Sequence, residues 1–147
     1  MSKNDTICVA VCRRVNRAAF AVIGPAGIYD VQRCDAPSGC ENRLLRIATR
    51  LAKAYGATTI VAEPGTLTPA PDNLPVAPTT LDDAKTVLCG TCERSNRPLV
   101  ETVVRQHPEL RRVLHGAKLG GPIAYLHRWR TLPVYAVALA LAFLHRS

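Results

Sequence analysis

The sequence predicts an α/β fold: a mixed sheet whose three N-terminal strands form an antiparallel meander, followed by alternating helices and strands. Three observations lead there. Short apolar runs rich in β-branched residues succeed one another, at hairpin intervals, over residues 6–34. A segment with helical periodicity comes next and leads into a fourth apolar run at 59–62. The final stretch, Leu132–Leu144, holds 13 residues without a charge.

In order, "TICVAVC" (6–12) is the first strand, and "AAFAVIG" (18–24) follows across "RRVNR" as the second. "GIYDVQRC" (27–34) alternates like a third. "SGCE" has the form of a capping box, with Ser38 and Glu41 satisfying free amides of a first helical turn. Leu44, Leu45, Ile47, Ala48, Leu51 and Ala52 then repeat at helical spacing up to Gly56, with Arg43, Arg46, Arg50 and Lys53 on the opposite, solvated face. The fourth strand, "TTIVA", ends on a single carboxylate, Glu63, before Pro64-Gly65 breaks it. An acid at the carboxyl end of a sheet strand faces the place where α/β sheets carry their sites. Prolines 64, 69, 71, 75 and 78 make the segment of about 64–80 a stiff, irregular loop. Thr80 caps a helix with Asp82 and Asp83 in its first turn, running to about Ser95. "PLVETVV" (98–104) is read as a fifth strand, "PELRRVLHG" (108–116) as a short helix, and a last helix is expected from about Thr131–Pro133.

At 147 residues, 48% hydrophobic and 20% charged, the chain is expected to be one domain, residues 1–147, with a real core. Its first residues lack the apolar core and cleavage site of a signal peptide, and 13 apolar residues fall short of the roughly 20 a membrane-spanning helix needs. Six cysteines without a disulfide pattern suit a reducing cytoplasm. The net charge of +8 is uneven: residues 94–130 carry eight Lys/Arg against Glu101 and Glu109. That concentration points to a polyanionic partner, nucleic acid first, with Arg94, Arg97, Arg105, Arg111, Arg112, Lys118, Arg128, Trp129 and Arg130 as its contacts. Trp129 between two arginines would stack on a base while they hold phosphate.

The element order and "CVAVCRRVNRAAFAVI" (8–23), the acid at Glu63, and "VYAVALALAFLH" (134–145) together resemble the RuvC-type Holliday-junction resolvases of the ribonuclease H-like superfamily. The resemblance implies a two-metal nuclease site, branched or duplex DNA as ligand, and a possible homodimer. It also implies acids where this chain has none. Cys12 stands at the first Asp position, and Val134 and Val137 stand at the two acid positions of the last helix, leaving Glu63 as the remnant. Two-metal hydrolysis clamps the attacking and leaving oxygens between two hard cations held by carboxylates, which one Glu cannot supply. Cysteine is a soft ligand and valine ligates nothing.

The expectation is therefore a catalytically degenerate, RuvC-like protein, with no catalytic residues, no bound metal and no cofactor, that binds nucleic acid in a structural or regulatory role. Two alternatives stand beside it. One is a metal-dependent endonuclease with a rearranged acidic site around Glu63, drawing on Asp35, Asp82 or Asp83. The other is a protein-interaction module that binds no nucleic acid. A zinc site of Cys34, Cys40, Cys89 and Cys92 has ligand-like spacing only in its second pair, "CGTC"; scattered core thiols are the preferred reading.

Overall fold

The structure is a computed structural model that describes residues 6–67, 71, 73–90, 94–112 and 128–146, with 128–130 described as backbone. Three strands, β1 (Cys8–Arg14), β2 (Asn16–Gly24) and β3 (Gly27–Ala36), lead into helix α1 (Glu41–Tyr55). Strands β4 (Thr59–Ala62) and β5 (Val76–Pro78) follow, then helices α2 (Leu81–Cys89), α3 (Arg97–Gln106) and α4 (Arg128–Arg146). A 3-10 turn spans Pro108–Arg112. The sheet order is β3-β2-β1-β4-β5, antiparallel within the β1–β3 meander and parallel from β1 through β4 to β5. The α/β mixed sheet with three antiparallel N-terminal strands is as the sequence predicts.

Side-chain alternation along the strands sorts the core into two layers. Val9, Val11, Phe20, Val22 and Ile60 pack against Leu44, Ala48, Leu51 and Ala52 of α1. Cys8, Ala10, Cys12, Ala19, Ala21 and Val61 face the other way, toward α2, α3 and α4. The residues of that second face are small, and so are Ala136, Ala138, Ala140 and Ala142 of α4, all fully buried. Small residues on both partners let a helix axis approach the sheet closely. The apolar stretch 132–144 is accordingly the central helix of this layer, and no helix among the described residues is long and apolar enough to cross a membrane.

Several local expectations are corrected. Residues 98–104 form α3 and not a strand: Leu99, Val100 and Val103 are its buried face, a helical spacing, and Pro98 sits in the first turn where its missing N–H costs nothing. Helix α2 stops at Cys89 rather than Ser95, because Gly90 takes the left-handed conformation (φ 66°) and closes it. At α1 the N-cap is Cys40 without a side-chain cap, and Glu41 reaches Arg13 instead of forming a box with Ser38. The proline-rich loop contains a strand, β5, at the sheet edge. Pro75 accepts from Ile60 and Thr79 donates to Ala62, so Pro78 between them turns its absent N–H outward, where no ladder bond is lost. Helix α4 begins at Arg128, one turn before the expected start, and carries Pro133 inside it. The Thr80 cap is as expected and complete, with Thr80 and Asp83 bonding each other's backbone amides. Of the helix expected at 108–116, residues 108–112 form the 3-10 turn and the remainder lies outside the described residues.

Candidate functional site

Parallel pairing of β1 with β4 matches Cys8 with Thr59 and Val11 with Ala62, so one residue further along Cys12 lies beside Glu63. Glu63 is turned by the segment that follows it. Pro64 and Gly65 (φ 81°) occupy the centre of a turn closed by the Thr66 amide on the Glu63 carbonyl at 3.1 Å, which is the Pro-Gly arrangement of a type II turn. The carboxylate thus stands at the carboxyl end of β4, half-buried, as expected from sequence.

Its partners are the finding. Arg14 Nη1 donates to Glu63 Oε1 at 2.7 Å, and the Cys12 thiol donates to the same oxygen at 3.5 Å. Arg14 also donates to the Arg13 carbonyl, and its guanidinium carbon lies 5.9 Å from the centre of the Tyr135 ring on α4, within cation–π range. Burial pulls the pKa of Arg14 down, but the hydrogen bond to Glu63 and the nearby Cys12, Glu63 and Tyr135 groups raise it overall, so the guanidinium is fixed as a cation. Burial pushes the Cys12 thiol up to about 12, with Arg14 opposing and Glu63 assisting, so at neutral pH it is a neutral thiol and not a thiolate ligand. Val134 and Val137 are completely buried in the layer between α4 and the sheet. Where the resemblance leads one to look for clustered acids, there is one carboxylate neutralised by the protein's own guanidinium.

Among the described residues no group of three or more His, Cys, Asp or Glu side chains is placed to hold a metal ion. The other acids are engaged apart from one another. Asp35 pairs with Arg17 at 2.7 Å, Asp83 belongs to the Thr80 capping box and meets Arg146, and Asp82 pairs with Lys85. The cysteines divide by layer. Cys34 and Cys40 pack with the α1 face, whereas Cys89 packs in the α4 layer and bonds Thr102, so the sheet separates the two halves of the zinc set considered from sequence. Cys92 lies outside the described residues.

Of the predicted nucleic-acid contacts, Arg94, Arg97, Arg105, Arg111 and Arg112 are exposed. Arg97, Glu101 and Arg105 recur every fourth residue along the outer face of α3, and Arg97 holds Glu101 at 2.9 Å. Arg128, Trp129 and Arg130 form the first turn of α4, but their side chains, like Lys118 as a whole, lie outside the described residues. The arginines missed by sequence reasoning are Arg13, Arg14 and Arg17. Arg13 faces α1 and binds Glu41 at 3.1 Å and the Ala36 and Pro37 carbonyls. Two clefts border them. One of about 460 Å³ lies between Arg13–Asn16 and Pro64–Thr66, and one of about 380 Å³ is lined by Arg17, Arg33, Asp35 and Leu132. A signal for Arg14 was present: it is two residues beyond Cys12, and the period of two puts both on one face.

Comparison with solved structures decides the fold. The chain superposes on a RuvC structure from Thermus thermophilus with a TM-score of 0.61 at 11% identity, over 95% of this chain and 94% of that one. The fold is that of RuvC. No protein-family model and no curated protein matches the sequence. Glu63 therefore has Arg14 and Cys12 as its partners, while Val134 and Val137, where the resemblance implies acids, are buried apolar residues of α4.

Proposed function

We propose that this protein is a catalytically inactive member of the nuclease fold that binds nucleic acid, DNA in the first instance, in a structural or regulatory role. The observation that carries the loss of catalysis is the 2.7 Å bond from Arg14 to Glu63. A divalent ion there would have to displace a guanidinium and would then find a single carboxylate, too few oxygens to hold and neutralise the pair of ions that phosphodiester hydrolysis requires. The reading of nucleic-acid binding rests on charge: +6 over residues 94–130, with five arginines of that segment exposed. The five cysteines among the described residues are free thiols, which suits a reducing compartment, and the cytoplasm is the proposed location.

The experiment exposes the protein to labelled four-way junction, duplex, single-stranded DNA and RNA, with Mg²⁺, Mn²⁺ or chelator, reading binding and cleavage together. Binding that weakens steeply with salt, without cleavage, is the expected result. Cleavage abolished by Glu63→Gln would instead establish a nuclease with a rearranged site. Absence of retention at low salt would make the protein an interaction module without a nucleic-acid ligand.

A further inference from the structure

Helix α1 carries Arg43, Arg46, Arg50 and Lys53 at helical spacing, in one stripe about 15 Å long on the side turned from the sheet. All four are exposed, and none forms an ion pair among the described residues. The one acid of the helix, Glu41, is drawn off to Arg13. This arrangement costs the helix stability. Like charges three or four residues apart repel, and Arg43 lies in the first turn, at the positive end of the helix dipole. A face that needed only solvation would be served better by mixed charges, and a glutamate at any of these positions would relieve the repulsion. Helicity and solubility therefore do not account for the stripe, whereas a polyanion laid along it does.

We infer that the outer face of α1 is a second phosphate-backbone site, so that one molecule bridges two separate duplex segments. The chemistry of the face selects the partner. A membrane surface takes up the apolar side of a helix, and that side of α1, Leu44, Ala48, Leu51 and Ala52, is in the core. A protein partner needs apolar or aromatic anchors, and the other exposed residues of the helix are only Asn42 and Ala54. A phosphate backbone needs cations alone, and the arginine fork matches it. The position of the face makes it a second one. Helix α1 packs on one side of the sheet and α3 belongs to the layer on the other, so the stripe and the exposed arginines of 94–112 lie on opposite sides of the five strands. Duplex DNA is stiff over about 150 base pairs and does not turn back around a body with a radius of gyration of about 15 Å. Each face therefore takes its own segment. This inference rests on the proposed nucleic-acid binding and gives its structural role a form: the joining of two segments without regard to sequence.

The test carries one short duplex on beads and a second, labelled duplex in solution, and reads capture of the second by protein held on the first. Direct binding of a single duplex is read alongside. Wild type should capture the labelled duplex at low salt and release it as salt rises. A variant with Arg43→Gln, Arg46→Gln, Arg50→Gln and Lys53→Gln together should still bind one duplex, weakened no more than about threefold, and lose capture by roughly tenfold or more. Its urea midpoint should be no lower than that of wild type, because the substituted residues are exposed and their repulsion is relieved. The reciprocal variant, Arg105→Gln/Arg111→Gln/Arg112→Gln, should lose capture as well. Capture kept by either variant overturns the bridge, as does wild-type binding of one duplex without capture of a second; nucleic-acid binding then stands. Loss of all binding in the α1 variant makes that face the single site and likewise overturns the bridge. No wild-type binding to any duplex overturns both readings, and retention on poly-glutamate in place of DNA, lost in the α1 variant, would reassign the stripe to an acidic protein.

Discussion

Arg14 and Glu63 should be energetically coupled, and a double-mutant cycle measures how strongly. Arg14→Met keeps the aliphatic stem beside Tyr135 and removes the charge; Glu63→Gln keeps the shape and the acceptor for the Cys12 thiol. Two unit charges about 4 Å apart at an effective dielectric of about 20 attract by about 4 kcal/mol. The side chains are 38% and 21% exposed, so solvent screens part of this and desolvation offsets more. A coupling of about 1–2 kcal/mol remains as the expectation, between the values for exposed and buried pairs. Urea unfolding of wild type, both single variants and the double variant gives the coupling directly. Millimolar Mg²⁺ should leave the wild-type midpoint where it is, because the carboxylate is already occupied. A coupling near zero together with stabilisation of wild type by Mg²⁺ would refute the argument: the pair would then be open in solution and Glu63 free to take a metal.

Alkali should destabilise the protein through its buried thiols. Cys8 and Cys12 are both pushed up to about 12 by burial, so their contribution is fully present below the ordinary thiol pKa near 9 and is lost as pH rises from 9 toward 12. At pH 10 the loss is on the order of 1 kcal/mol per thiol, and the Cys8→Ala/Cys12→Ala double variant should show a flatter fall of urea midpoint with pH. Thr80→Ala should cost about 1 kcal/mol in urea unfolding by opening the α2 cap. The Thr80 amide first of all holds the Asp83 carboxyl below the ordinary carboxylate range; burial opposes as the next largest effect, and the Thr80 and Arg146 side chains lower it further. Its contribution is therefore present above the ordinary carboxylate range and lost as pH falls through its folded pKa, and Asp83→Asn should flatten the acid limb of stability against pH. Val137→Asp, which reinstates an acid at a position the resemblance implies, places a carboxylate at a site with no exposure and should cost several kcal/mol, seen as loss of the cooperative unfolding transition at 25 °C.

The elements that could be read from sequence are those whose local pattern and tertiary role agree. β1 to β4 carry β-branched runs bounded by turn residues, and α1 carries a helical stripe that ends at Gly56. "PLVETVV" resembles a strand because its valines favour strand locally, while the contacts that decide its state, Leu99, Val100 and Val103 against α4, come from a distant segment. Cys40 replaced Ser38 as the cap because Glu41 is drawn to Arg13, 28 residues earlier in the chain. At the site, Glu63 was legible as a strand-end acid. For Arg14 the sequence carries only the face it shares with Cys12; its meeting with Glu63 spans 49 residues and depends on the parallel register of β1 with β4.

The position of α4 at the far end of the sequence has a consequence for synthesis. Strands β1 and β2 emerge from the ribosome well before α4, yet one of their faces is covered by residues 132–142, more than a hundred positions later. During that interval Ala10, Ala19, Ala21 and Val61 present a bare apolar sheet face, and contacts so distant in sequence are slow to form. The nascent chain would thus spend its elongation half-covered, with α1 closing one side early and α4 the other late. Ribosome-stalled chains ending before residue 128 should bind chaperone or aggregate, and those extended past 146 should not.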